Sequence, residues 1–163
     1  MDTFEKIARL RELMRERKLD AYIVPDNDPH MSEYTADHWK IREWLSGFTG
    51  SSGTLVVTSD AAALWTDGRY FIQAESQLKG SEIRLMKLGL PDTVDYISWI
   101  KSAVRESANI GCNGKLISAH DYLDIAKKLK DKKCNLLTEY RLPETLWEEE
   151  GRPGLPEAPA FSY

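Results

Sequence analysis

"GFTGSSGTLVVTSDAAALWT", residues Gly47–Thr66, sets three evenly spaced glycines ahead of a β-branched apolar run, and a second apolar run follows after a short polar turn. Gly53–Val57 and Ala61–Thr66 read as two strands joined by "TSD", a hairpin. The glycines leave two roles to separate, a phosphate cradle or a loop that feeds a buried strand. A cradle needs glycines after a strand and before a helix whose N-terminal amides face the anion. Here a strand follows, and neither Gly-x-Gly-x-x-Gly nor a Gly-Lys-Ser/Thr triplet is present. The glycines are better suited to positive φ and close backbone approach in a tight loop before a central strand. Such a loop can still lie on a functional surface.

Upstream, Phe4, Ile7, Ala8, Leu10 and Met14 fall on one helical face, and Asp2 with Glu5 forms a capping-box pattern at its start. "LDAYIVP" reads as a buried strand ended by Pro25, and "DNDPH" as a loop. Downstream, "TDGRYFIQAESQL" is a turn running into a short helix with Phe71, Ala74 and Leu78 on one side, and "EIRLMKL" is a strand. "PDTVDYISWIKSAV" predicts a helix capped by Asp92 or Thr93, with Tyr96, Ile97, Ile100 and Val104 at helical steps. "NIGCNG" is a short strand, "SAHDYLDIAKKLK" a capped helix burying Tyr122, Ile125, Ala126 and Leu129, and "CNLLTE" a last strand. An early hairpin followed by strand-helix alternation predicts an α/β sheet covered by helices on both faces.

From Pro143 the texture changes: four of the seven prolines lie in "PETLWEEEGRPGLPEAPAFSY", with little periodic pattern. The expected division is a domain over 1–142 and a Pro-rich connector over 143–163. A tail packed across its own sheet, with Trp147 and Phe161 as anchors, is the alternative.

The length of 163 residues suits one domain with a genuine core. With 42% hydrophobic and 29% charged residues, the composition is that of an ordinary globular protein. A net charge of -4 argues against general electrostatic binding of nucleic acid. No apolar run approaches the roughly 20 residues of a membrane span. The N-terminus lacks an apolar leader and carries Asp2, Glu5, Glu12 and Glu16, so a cytoplasmic protein is expected. Cys112 and Cys134 are too few for a disulfide framework or a zinc knuckle and read as small, half-buried thiols.

Candidate chemistry is sparse. His30 and Glu33 in "HMSE" would share a face on a helix as one half of a metal site, but no second cluster completes it. The competing reading is a hydrogen-bonded loop. His38 and His120 are isolated, and Ser46, Ser51 and Ser52 lack the Gly-x-Ser-x-Gly elbow of a hydrolase nucleophile. Trp39, Trp44 and Trp65 read as packing residues. In "WTDGRYF", Arg69 stands at a strand-to-helix turn where its guanidinium could reach a carboxylate or a peptide carbonyl. The competing reading is local, with Asp67 capping the helix and Arg69 paired to it or to the C-terminal tail.

Taken together, "AYIVPDNDPHMSEY", "REWLSGFTGSSGTLVVT", "ALWTDGRYFIQAESQL" and "LMKLGLPDT" resemble the N-terminal domain of cytosolic-type Xaa-Pro aminopeptidases. The resemblance runs from about Asp20 to the Pro-rich end. It implies a creatinase-type, ribonuclease H-like fold, a mixed sheet of about six strands flanked by helices. It also implies a following "pita-bread" catalytic domain with two divalent metal ions, usually manganese, on acidic and histidine ligands. This chain carries none of those ligands, so no catalytic residue and no metal or other cofactor is assigned to it, and "RPGLPEAP" resembles the connector to that domain. The full enzyme is implied to remove an N-terminal residue preceding proline, from short peptides with proline second. Its expected partners are its own catalytic domain and a second subunit, with no nucleic acid and no membrane. Arg69 matches an arginine of the family that helps bind substrate. A standalone peptide- or protein-binding module and a prolidase- or creatinase-like relative are the rival readings.

Overall fold

The computed structural model describes residues 1–157. Helix α1 (Thr3–Glu16) starts with the expected capping box: Asp2 accepts from the Glu5 amide at 2.8 Å and Glu5 accepts from the Asp2 amide at 2.8 Å. Its buried stripe is Ile7, Leu10 and Met14, whereas Phe4 and Ala8 remain exposed. Strand β1 (Ala21–Val24) follows, then a long loop, helix α2 (Ile41–Ser46), the glycine loop, and the hairpin β2 (Thr54–Thr58) and β3 (Ala62–Thr66). A 3-10 turn at Gly68–Tyr70 leads into α3 (Phe71–Gln77) and then β4 (Ile83–Lys87). The remainder is α4 (Tyr96–Ala103), β5 (Asn109–Cys112), α5 (Ala119–Leu129), β6 (Asn135–Leu137) and α6 (Leu142–Glu149).

One six-stranded sheet has the order β4-β3-β2-β1-β5-β6. Strand β2 runs antiparallel to both neighbours, and every other pairing is parallel, so β2 alone opposes the remaining five. The central strands are buried on both faces, which explains their unbroken apolar runs. Tyr22, Val24, Leu55, Val57, Ala62 and Leu64 point to one face, packed with α1, α2 and α6. Ala21, Ile23, Val56, Ala63 and Trp65 point to the other, packed with α4 and α5. This is the α/β sheet covered by helices on both faces that the residue patterns predict, and the six-stranded mixed sheet that the resemblance implies.

Local differences have local causes. The cap of α4 is Asp95, whose Oδ1 accepts from Ser98 N at 2.9 Å, because the chain through Asp92 and Thr93 is still turning. Tyr122 is 38% exposed, leaving Ile125 and Leu129 as the buried positions of α5. Cys112 is buried and Cys134 half-buried, both unbridged.

The larger difference is α6, which occupies the start of the expected connector. Pro143 fits its first turn, where its missing N–H loses no helical bond. Leu142, Leu146 and Trp147 enter the core, and Trp147 stacks on Trp44 at 5.5 Å. Beyond the helix the Arg152 guanidinium lies against the rings of Trp39 and Trp147, at 5.1 and 5.6 Å, and its Nε donates to the His38 carbonyl at 2.8 Å. The folded unit therefore runs through Arg152. Trp147 serves as the anchor considered for a packed tail, and Phe161 lies outside the described residues.

Candidate functional site

Because β2 is the one reversed strand, the loop before it sits at the same end of the sheet as the loops after β1 and β3. That end carries the carboxyl termini of the parallel strands, where ligands of open α/β sheets bind. The glycine loop, the Pro25–Lys40 region and the Asp67–Tyr70 turn thus converge.

The loop is held by side chains from every neighbouring element. Ser46 Oγ accepts from Phe48 N at 3.1 Å, Gln77 Oε1 accepts from Thr49 N at 2.9 Å, and Asp26 Oδ2 accepts from Gly53 N at 2.7 Å. Thr66 Oγ1 donates to the Ser52 carbonyl at 2.6 Å, Arg42 Nη2 donates to the Gly50 carbonyl, and Ser51 Oγ meets Tyr70 Oη in a short hydrogen bond. Amides committed to these acceptors are not offered to a phosphate, and the loop precedes a strand, as its sequence indicates. Gly47 closes α2 with φ +76, the left-handed position glycine favours. At Gly50 a Cβ would stand 2.3 Å from Phe48 Cζ, so the buried ring fills the space a side chain would need.

Beside this loop lies a half-open cleft of about 240 Å³, whose walls include Asp26, Glu33, Tyr34, Trp39, Arg42 and Ser51. Its floor is Arg42, only 4% exposed. Burial pushes that guanidinium below its ordinary pKa, and the nearby Asp26 carboxylate opposes the shift. Tyr34 stands at the rim, 86% exposed.

Arg69 is not on the cleft wall but one side chain away, across Tyr70. Its Nε and Nη2 donate to Oδ1 and Oδ2 of Asp67, both at 2.9 Å, and the Arg69 amide also reaches Oδ1, at 3.1 Å. Asp67 therefore does what the local reading requires, capping the 3-10 turn and pairing with Arg69. The pair holds the Asp67 carboxyl below its usual range and Arg69 above its own. The Arg69 side chain is nevertheless 68% exposed, and three of its five N–H groups have no partner among the described residues. Both readings of Arg69 are thus geometrically compatible: it is anchored, and it is available.

The histidine-acid pair is not assembled. Residues 30–33 are not helical, so His30 and Glu33 do not share a helix face. Buried Asp28 organises this turn instead, its Oδ1 accepting from the amides of His30 at 2.8 Å and Ser32 at 3.0 Å. Those amides, Ser32 foremost, lower the Asp28 pKa. Among the described residues no group of three or more His, Cys, Asp or Glu side chains is placed to hold a metal ion. No helix of the described residues is long and apolar enough to cross a membrane.

The family model described as the creatinase/prolidase N-terminal domain matches residues 6–140. The chain belongs to that family. A curated relative from Coprinopsis cinerea, named as a probable Xaa-Pro aminopeptidase P, is 41% identical over 99% of this chain and 26% of its own length. A crystal structure from Caenorhabditis elegans, described as an X-prolyl aminopeptidase and a cytosolic enzyme with a di-nuclear active site, superposes with a TM-score of 0.88 at 36% identity, covering 96% of this chain and 27% of that one. The N-terminal domain of a Mycobacterium tuberculosis cytoplasmic peptidase shares the fold at a TM-score of 0.62 and 24% identity, covering 87% of this chain and 98% of its own. The chain spans about a quarter of the length of the curated relatives it matches. It corresponds to the N-terminal domain of larger peptidases of the Xaa-Pro aminopeptidase and prolidase type.

Asp26 and Tyr70 escape a sequence reading because their partners are brought to them by the sheet, and Arg42 because its partner Gly50 is placed by an irregular loop. The one local signal was the glycine loop itself, whose backbone needs outside donors and acceptors.

Proposed function

We propose that this chain is the non-catalytic N-terminal domain of a metal-dependent Xaa-Pro aminopeptidase that removes the residue preceding proline from the N-terminus of short peptides. The domain shapes the entrance of an active site built by a catalytic domain in the same protein. It contributes contacts to the substrate and to a second subunit, in the cytoplasm. Two divalent metal ions, manganese by the family resemblance, belong to the catalytic domain and not to the residues described above. One observation carries this reading: Arg69 is oriented by Asp67 and keeps three donors open at the carboxyl end of the sheet. A guanidinium so held can receive a peptide carbonyl or a carboxylate without first being ordered.

The test is Arg69→Ala in the full-length protein, assayed on a Gly-Pro-type peptide with manganese. Loss of a charge-assisted contact predicts a fall in kcat/KM of about ten- to a hundredfold with an unchanged fold. Unchanged kinetics would remove Arg69 from the site. The isolated domain should show no turnover, and robust hydrolysis by it would overturn the non-catalytic assignment.

A further inference from the structure

We infer that Arg42 is a positioning residue for Arg69, acting through the glycine loop and Tyr70. This rests on the reading of Arg69 as a substrate contact.

Arg42 is an uncomfortable residue for its place. It is 4% exposed, and its Nε and Nη1 are buried without a hydrogen-bond partner among the described residues. A buried donor left unpaired is unfavourable, and each such group in a native fold needs a reason. Solvent does not reach either nitrogen, although Arg42 lines the cleft. What Arg42 touches offers a reason. Its Nη2 donates to the Gly50 carbonyl, and its guanidinium lies 4.9 Å from the centre of the Phe48 ring. An apolar side chain of the same size would do neither as well.

Both contacts lead to Tyr70. The Gly50 carbonyl immediately precedes Ser51, whose Oγ shares a hydrogen bond with Tyr70 Oη. The Phe48 ring meets the Tyr70 ring edge-on, with centroids 6.0 Å apart at 79°. Tyr70 is thereby fixed at its hydroxyl by one branch and at its ring by the other, and both branches start at Arg42. The Arg69 guanidinium then lies 5.1 Å from the centre of that same ring. Asp67 fixes the direction of Arg69, and Tyr70 supplies the surface it rests on. Withdrawing Arg42 releases the loop carbonyl and the Phe48 ring together, so the plate under Arg69 loses both supports.

A chain of contacts alone does not establish coupling, and a double-mutant cycle does. The cycle is run in the full-length protein with Arg42→Lys, Arg69→Ala and the pair, following kcat and KM for a Gly-Pro-type peptide, with thermal unfolding as the folding control. Lysine keeps the charge but lacks the fork. Arg42→Lys is expected to lower kcat/KM about tenfold, mainly through KM, and to have no further effect once Arg69 is alanine. Effects that multiply, or an Arg42→Lys enzyme with wild-type kinetics, would overturn the inference and leave the Arg69 reading standing. Wild-type kinetics for Arg69→Ala would overturn both. Should Arg42→Lys fail to fold, Tyr70→Phe, which removes only the hydroxyl that Ser51 meets, goes through the same cycle with the same deciding outcomes.

Discussion

Arg69 donates to Asp67 twice, from Nε to Oδ1 and from Nη2 to Oδ2, both at 2.9 Å, while most of its side chain faces solvent. An ion pair so exposed contributes little to stability. Its value lies in orientation. Asp67→Asn keeps an oxygen for the turn cap and removes the charge, so KM of the full-length protein should rise a few-fold while Tm barely moves. A large fall in Tm with unchanged KM would make the pair structural. The pH behaviour follows from the lowered Asp67 pKa. Its contribution is fully present above the unfolded carboxylate value, about 3.9, and is lost only as pH falls through the lower folded value. An acid limb of activity near pH 5 would therefore belong to another group.

The close approach at Gly50 gives a stability prediction. A methyl group there meets the buried Phe48 ring, whose displacement disturbs both Arg42 and Tyr70. Gly50→Ala should destabilise by about 2 kcal/mol, the range typical of overpacking. Urea denaturation measures it. Gly154→Ala, with open space around its Cβ position, is the control and should be near neutral.

Helix α6 belongs to the core. Leu146 is 0% exposed, so Leu146→Ala should cost about 3 kcal/mol in urea or thermal unfolding. Ending the chain at residue 141 would uncover the α1 and α2 side of the sheet and abolish cooperative unfolding. A sharp transition in that truncated protein would show α6 to be dispensable.

Glu144, in the first turn of α6, is 1% exposed; Oε1 accepts from Asn113 Nδ2 at 2.9 Å and Oε2 has no partner among the described residues. Burial raises its pKa. A carboxyl whose folded pKa exceeds its unfolded value stabilises most below the unfolded value, and that contribution fades as pH rises through the folded one. Glu144→Gln keeps an acceptor for Asn113 and removes the charge. The variant should gain stability over the wild type at pH 7 and lose that advantage near pH 4, as urea midpoints across this range would show. A constant difference at all pH values would mean that Glu144 does not titrate in this way.

How much of this was legible in sequence depends on the range of the contacts. The hairpin was readable because "TLVVT" and "ALWT" flank a short turn, and α1 because Asp2 and Glu5 mark its start. Helix α2 was not, since its apolar stripe, Ile41, Trp44 and Leu45, spans less than two turns and a charged residue, Arg42, is buried beside it. In α6 the spacing of Leu142, Leu146 and Trp147 was a signal, masked by Pro143 and four nearby glutamates. At the site, Arg69 stood out through its motif. Asp26 did not, because Gly53 reaches it only after the sheet has formed, and Arg42 did not, because its contact with Gly50 is set by the irregular loop that follows α2.

The lone reversed strand also orders the assembly of the fold. Val57 need cross only a tight turn to meet Ala62, whereas Ala21 must find Ile110 across most of the chain, with far more loop entropy lost before the pairing is rewarded. The hairpin can zip early and serve as a template, while β5 and the short, half-covered β6 join last. The segment that shapes the Arg69 surface therefore belongs to the portion of the sheet expected to mature first, and thermal fraying at the opposite edge leaves it intact.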